Sequence, residues 1–298
     1  LAQTPDSWTQ KANFGGLGRL NAVGFNIGNK GYIGTGANST TVFSDIWEYD
    51  PATDTWAQKA DFGGGARHGA CAFTVGRKAY IGGGASLLAD GSQASFTLWE
   101  YDPVLNTWVQ KSASFPGGYR SVALNIDGKV YVFYGSNISY PVDIPSTSPL
   151  PRKSNMGWYL YDIESNTSIG KTNLPIDRYG LFGFSIDGKG YLGGGVDNNG
   201  NVKSEFYEYN PNTNSWTAKA NFPGTRAYLT PSFVLGNKGY VGLTGSAGNA
   251  QSLYEYNPTT NIWTSRASYP DGNTYSGVGF SIGNKGYIGT GSSKNTFY

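Results

Sequence analysis

A tyrosine followed by glycines returns six times along this chain: Tyr32 in GYIGTG, Tyr80 in AYIGGG, Tyr131 in VYVFYG, Tyr191 in GYLGGG, Tyr240 in GYVGLTG and Tyr287 in GYIGTG. The spacings of 48, 51, 60, 49 and 47 residues set a period near fifty, the range of units made from four short strands. The unit from Gly188 to Pro223 shows the grammar. An apolar run ends in glycines (Gly190 to Gly195), and a polar loop follows. An alternating aromatic run (Phe206, Tyr207, Tyr209) then reaches an Asn-Pro turn (Asn210, Pro211) and a Trp-led run, Trp216 to Ala220. Short period-2 runs punctuated by Gly, Pro and Asn are strands joined by tight turns, so each unit is a small antiparallel sheet. Aromatics at 15%, 44 glycines and only 14% charged residues agree with an all-β chain and leave no amphipathic helix pattern.

A second landmark follows the first in most units: Tyr49 to Trp56 (YDPATDTW), Tyr101 to Trp108 (YDPVLNTW), Tyr209 to Trp216 (YNPNTNSW) and Tyr256 to Trp263 (YNPTTNIW). The third unit reads YDIESNTS, with Ile163 for the proline and Ser168 for the tryptophan, which predicts a looser contact there. A tyrosine-bearing strand ending in glycines, then Tyr, six residues and Trp, resembles the kelch repeat, and the resemblance covers the whole chain. It implies one domain over 1–298, a six-bladed β-propeller of four-stranded antiparallel blades. The recurring Tyr and Trp are expected to supply the apolar area between blades.

The ends carry a further expectation. Asp6, Ser7 and Trp8 followed by TQKANF read as the fourth strand of a blade, while Gly286 to Gly291 is a second strand and Asn295 to Tyr298 begins a third. Aligning Phe297 and Tyr298 with Phe206 and Tyr207 places Leu1 at the Tyr209 position. Pairing of N- and C-terminal strands in one blade then closes the ring and protects sheet edges. Long loops fall at Gly84 to Thr97 and at Ser136 to Gly157, the latter with four prolines. In kelch-like propellers such loops share a face with the connections between blades and with the central pocket. Asn137, Ile138 and Ser139 match a glycosylation triplet.

Several function classes are excluded or disfavoured. A net charge of +2 gives no global field for nucleic acid or a membrane surface, and no apolar run approaches a membrane-spanning helix. Cys71 is the single cysteine, so no intrachain disulfide or cysteine zinc site exists, and its apolar run makes it a core residue. His68 is the single histidine. Copper radical oxidases of kelch-like architecture need two histidines and a Cys-Tyr crosslink, so that chemistry is excluded. No nucleophile elbow, calcium loop, P-loop or dinucleotide fingerprint is present, and neither a metal nor a cofactor is expected. The opening Leu-Ala-Gln fits the remnant of a secretory signal peptide as well as an ordinary frayed terminus, and an exported protein is the expectation.

An arginine recurs just before the inner strand of five units, at Arg19, Arg67, Arg120, Arg178 and Arg226, with Asn273 and Thr274 in the sixth. Ring closure would gather them at the channel mouth. Aromatics stand beside them at Tyr119, Tyr179, Tyr228 and Tyr275, and His68 in the second unit. Such a ring suits a carboxylate, sulfate or acidic side chain, because guanidinium offers a planar fork. The same arginines could equally bond carbonyls of neighbouring blades. The candidate pocket is therefore Arg19, Arg67, His68, Arg120, Arg178, Tyr179, Arg226, Tyr228 and Tyr275. The expected function is a non-catalytic module binding a protein or an anionic or neutral glycan, as a plausible monomer. The alternative is a sugar-acid mutarotase or epimerase, since sialic acid mutarotases are six-bladed kelch propellers that bind an acidic sugar with arginines.

Overall fold

The computed structural model describes residues 6–86, 93–136, 157–197, 199–224, 230–242, 252–272, 275–292 and 294–298. Among these every regular element is a strand. Blade 1 is typical. Its inner strand Val23–Ile27 pairs with Lys30–Gly34, that strand with Ile46–Asp50, and the last with the outer strand Thr55–Lys59, all antiparallel. Blades 3, 4 and 5 repeat this order from inner strands Val122–Ile126, Phe182–Ile186 and Ser232–Leu235. Blade 2 starts at His68–Val75 and gains a short extra strand, Gln93–Ala94, on an extended second strand, Lys78–Ser86. The loop read from Gly84 onward therefore begins as strand. Residues 87–92 and 137–156, with the Asn137 triplet, lie outside the described residues.

Local chemistry sets these elements. The inner strands alternate, as in Val23, Phe25 and Ile27 buried against Gly24 and Asn26 half-buried, the period-2 pattern of a packed sheet. In blades 3 and 4 the inner hairpin turns on Asp127-Gly128 and Asp187-Gly188, all with positive φ, the two-residue turn whose twist matches the strands. In each four-stranded blade the second-strand tyrosine is opposite an inner-strand apolar residue, for instance Tyr32 stacked on Phe25 at 5.1 Å.

The sixth sheet is two-stranded, Val278–Ile282 with Lys285–Gly289. The chain ends complete it as the alignment of termini requires. Phe297 bridges Gly289, Lys11 donates its N–H to the Phe297 carbonyl at 2.9 Å, and Phe14 donates to that of Asn295 at 2.7 Å. Trp8 packs edge-on against Tyr269 and Tyr298. Inner strands neighbour one another in cyclic order, blade 6 returning to blade 1, so the sheets form a closed ring.

Neighbouring blades are fastened by a device that the Tyr-to-Trp landmark only half reveals. Two residues before each tryptophan stands an Asp or Asn with positive φ: Asp6, Asp54, Asn106, Asn214 and Asn261. In four blades its side-chain oxygen accepts from its own tyrosine, as Tyr209 Oη to Asn214 Oδ1 at 2.8 Å. The same oxygen accepts a backbone N–H of the preceding blade, as Thr172 N to Asn214 Oδ1 at 3.1 Å, and the tryptophan indole donates to that residue's carbonyl, Trp216 Nε1 to Thr172 O at 2.8 Å. The pattern recurs through Ala12, Ala60, Ala220 and Ala267. Only Asn and Asp combine a short acceptor with tolerance of left-handed backbone. In blade 3, Asn166 keeps its bond from Tyr161 at 2.8 Å, and Ser168 has no indole to give.

Candidate functional site

The register of the inner hairpins sorts the candidate residues into three positions. Arg19, Arg67 and Arg178 each stand six residues before the inner-strand aromatic, Phe25, Phe73 and Phe184. Each turns its guanidinium into its own blade. Arg19 is fully buried between the rings of Phe14 and Phe43. It grips Asp45 through two bonds, 2.5 and 2.8 Å, and donates to the carbonyls of Thr35 at 3.0 Å and Leu17 at 2.9 Å. Burial alone would raise the Asp45 carboxyl, but Arg19 and the Trp47 indole hold it below the usual range. Arg178 pairs with Glu205 at 2.8 Å and donates to Gly194 O at 3.2 Å. Arg67 has no such carboxylate. It donates to Gly64 O, to Gly83 O at 3.0 Å and to the hydroxyls of Ser95 and Thr97 at 3.2 Å, and burial lowers its pKa to about 10.

The expected five-membered arginine ring is thus not formed by equivalent positions. In blade 3 that place belongs to Gly118, where an added Cβ would lie 2.4 Å from the Ser136 carbonyl oxygen. Arg120 stands two residues further on, at the position of Asn21, Gly69, Gly180 and Ser276. Counting back from the inner-strand residue Leu124, instead of matching arginine to arginine, exposes the offset in the sequence. Arg226 and Tyr228 lie outside the described residues.

The intermediate position holds Leu20, His68, Tyr119, Tyr179 and Tyr275. Leu20, Tyr119 and Tyr179 bridge Ala37, Ser136 and Val196 across the hairpin, and Tyr275 accepts the Ser292 N–H on its carbonyl and donates its own N–H to Ser292 Oγ, both at 3.0 Å. Tyr179 is buried, whereas Tyr275 is 39% exposed. His68 is completely buried, edge-on to Tyr119 with Nδ1 3.4 Å from the Tyr119 hydroxyl. Burial, with the nearby Arg120 charge, lowers the imidazole pKa to about 4, so it is neutral near pH 7. Gly69 permits this packing, because a Cβ there would meet the Tyr119 ring at 2.3 Å.

The innermost position lines the axis. Asn21, Gly69, Arg120, Gly180 and Ser276 all have positive φ, from 53° to 68°. Their backbones hand a hydrogen bond from blade to blade: Asn21 N to Ser276 O, Gly69 N to Asn21 O and Arg120 N to Gly69 O, at 3.3, 2.8 and 2.7 Å. Ser276 Oγ also donates to Asn21 Oδ1 at 2.6 Å. They surround an axial cavity of about 170 Å³ that also touches Ser121, Leu181 and Thr230. Arg120, with its guanidinium 4.8 Å from the Tyr119 ring centre, is the one charged side chain among the described residues lining it. A left-handed backbone costs a side chain such as arginine ~1 kcal/mol that glycine avoids, and blades 2 and 4 have glycine there. Among the described residues no cluster of His, Cys, Asp and Glu could hold a metal ion, and Cys71 is buried with its thiol raised to about 11 by desolvation.

With that geometry in hand, comparison with known proteins places the architecture. The solved structure of YjhT superposes with a TM-score of 0.76, covering 96% of this chain and 94% of that one at 18% sequence identity. The fold is a β-propeller. No family model and no curated protein matches the chain, so the likeness speaks for the ring of blades alone. In this propeller the axial cavity opens among the connections that lead into the inner strands.

Proposed function

We propose that this protein is a non-catalytic binding module of kelch type with six blades, which seats an acidic group of a protein or glycan in the axial cavity. The observation that carries the reading is Arg120: an arginine kept in a left-handed conformation on the axis, where neighbouring blades use residues that suffer no strain. Strain retained by a long charged side chain where the flanking blades 2 and 4 relieve it with glycine supports a functional reading. The size of the cavity narrows the ligand. At about 170 Å³ it falls below the 300–1,000 Å³ typical of pockets that swallow a whole small molecule. It suits a terminal carboxylate or sulfate whose parent lies across the loops above. Export to the periplasm or cell surface would fit a glycan partner.

The described wall offers the Arg120 guanidinium, backbone groups and the hydroxyls of Ser121, Thr230 and Ser276. That set binds an anion through charge-assisted bonds and supplies no carboxylate or imidazole to move a proton, which favours a binder over the sugar-acid mutarotase. Arg120→Gly tests the reading cleanly, since glycine is native to this position in blades 2 and 4. Calorimetric titration with sugar acids, sulfated oligosaccharides and acidic peptides should give saturable binding to the wild type. It should fall at least tenfold in Arg120→Gly, with the melting temperature unchanged or raised. Binding that survives the substitution would refute the site. Anomeric exchange of a bound sugar acid, followed by proton NMR, would convert the binder into an enzyme.

A further inference from the structure

The single histidine of the chain belongs to an assembly beside the axis, where blade 2 meets blade 3. Tyr119 is 1% exposed, and its ring fills the place that a Cβ on Gly69 would need. His68 meets that ring edge-on at 72°, with centroids 5.1 Å apart. Its Nδ1 makes a long contact of 3.4 Å with the Tyr119 hydroxyl. Arg120 sets its guanidinium 4.8 Å from the centre of the same ring. Burial raises the phenol pKa, and the Arg120 charge with a bond to the hydroxyl pulls it part of the way back.

Blade 1 carries Leu20 where blade 2 carries His68, and both are buried. A leucine therefore fits this slot, and an imidazole in it needs a hydrogen bond to offset its desolvation. Burial, with the Arg120 charge, keeps the ring neutral, the form whose Nδ1 accepts a hydrogen bond from the hydroxyl. The tautomer so selected carries its proton on Nε2, and the donors run in one direction, from Arg120 to Tyr119 to His68. Arg120 itself holds a left-handed backbone at φ 59°, and an aromatic face beneath its charge offsets that strain.

We infer that Tyr119 and His68 are positioning residues of the axial site: Tyr119 holds the Arg120 guanidinium at the axis, and His68 fixes the Tyr119 hydroxyl that the guanidinium meets. Neither residue needs to touch the ligand. They act by ordering Arg120 before the acidic group arrives, so that less side-chain freedom is lost on binding. The inference rests on the axial reading for its effect on affinity, and on the free protein alone for the order of Arg120.

Arg120 Nε is buried, so its N–H signal can be followed by proton–nitrogen NMR and assigned by its absence in Arg120→Gly. In the free protein the Tyr119 ring current should shift this signal upfield, and a high heteronuclear Overhauser effect should mark it as ordered. Tyr119→Leu should abolish both signatures. Tyr119→Phe and His68→Leu should keep the shift and lose much of the order. These two preserve packing, leucine being native to that slot in blade 1, so circular dichroism should show them folded. With D-glucuronate as the probe in calorimetry, affinity should fall about tenfold in Tyr119→Leu and about threefold in Tyr119→Phe and in His68→Leu. The double variant of the last two should fall no further than either alone, because both remove the same bond. An Arg120 signal unmoved by all three substitutions, or losses that simply add, overturns the inference. Loss of binding in Arg120→Gly beside full affinity in Tyr119→Leu also overturns it and leaves the axial reading standing. Binding that survives Arg120→Gly refutes the axial reading instead, and the Arg120 signal in the free protein then still decides whether Tyr119 and His68 order it.

Discussion

At the residue scale, burial decides what a charged or titratable side chain can do. Three arginines that sequence alone offers as ligand-binding groups are consumed by their own blades, Arg19 through the bidentate Asp45 pair, Arg178 through Glu205 and Arg67 through carbonyls and hydroxyls. His68 carries a consequence for acid stability. Its pKa drops from the usual 6.5 to about 4 on folding, so below 6.5 the unfolded chain takes up a proton that the native imidazole refuses. Stability is then complete above pH 6.5 and lost as pH falls towards 4, by at most about 1.4 kcal/mol per unit and ~3 kcal/mol in all. Carboxylates held low, such as Asp45 and Glu208, act in the same direction but only below the ordinary carboxylate range. Urea unfolding at pH 7 and pH 5 should therefore show a drop in the wild type that is largely gone in His68→Phe. An equal drop in both would assign it to another group.

At the element scale, the latch of Tyr, Asp or Asn, and Trp makes a single five-residue turn serve two blades. Removing Asn214 deletes two hydrogen bonds and puts a side chain without a local acceptor into left-handed backbone, so Asn214→Ala should cost about 2–3 kcal/mol. Asn166→Ala loses the Tyr161 bond and the same backbone tolerance but, among the described residues, no hydrogen bond across the interface, and should cost about 1 kcal/mol less. Denaturant midpoints of the two variants compare them directly, and equal losses would show that blade 3 is latched like the rest. The missing tryptophan at Ser168, read from sequence as a looser contact, corresponds to this half-made latch. Trp158, fully buried against Tyr131, Tyr209 and Trp216, fills the next interface with apolar area instead.

At the scale of the whole molecule, the ring is held where residues 6–14 meet residues 295–298. Trp8, Lys11 and Phe14 supply the packing and backbone bonds that join the two ends. A chain starting at residue 15 should keep its strand signal in circular dichroism yet expose the edges of the closing blade. The expected result is a broadened thermal transition and concentration-dependent association by light scattering, the behaviour of unprotected strand edges. A sharp transition and a monomer at all concentrations would show that closure contributes little.

Much of the architecture was legible because a repeat multiplies weak local signals: six tyrosine-glycine strands at a period near fifty, and matching halves of one blade at the two ends, specify sheets, turns and ring closure. The core roles of Cys71 and most of the recurring tyrosines were legible too, with the recurring tryptophans half-buried against that core, since alternation along a short strand fixes which side faces inward. What the sequence left open was register within a unit. A shift of two residues between Arg120 and the arginines at 19, 67 and 178 keeps the same local motif yet moves a guanidinium from the blade interior to the axis. The destination depends on hairpin pairing and on acceptors such as Asp45, Glu205 and Gly83 that lie 16 to 27 residues away. Strand pairing is encoded locally, whereas the meeting of distant charges is decided by the closed tertiary structure that sets their distance.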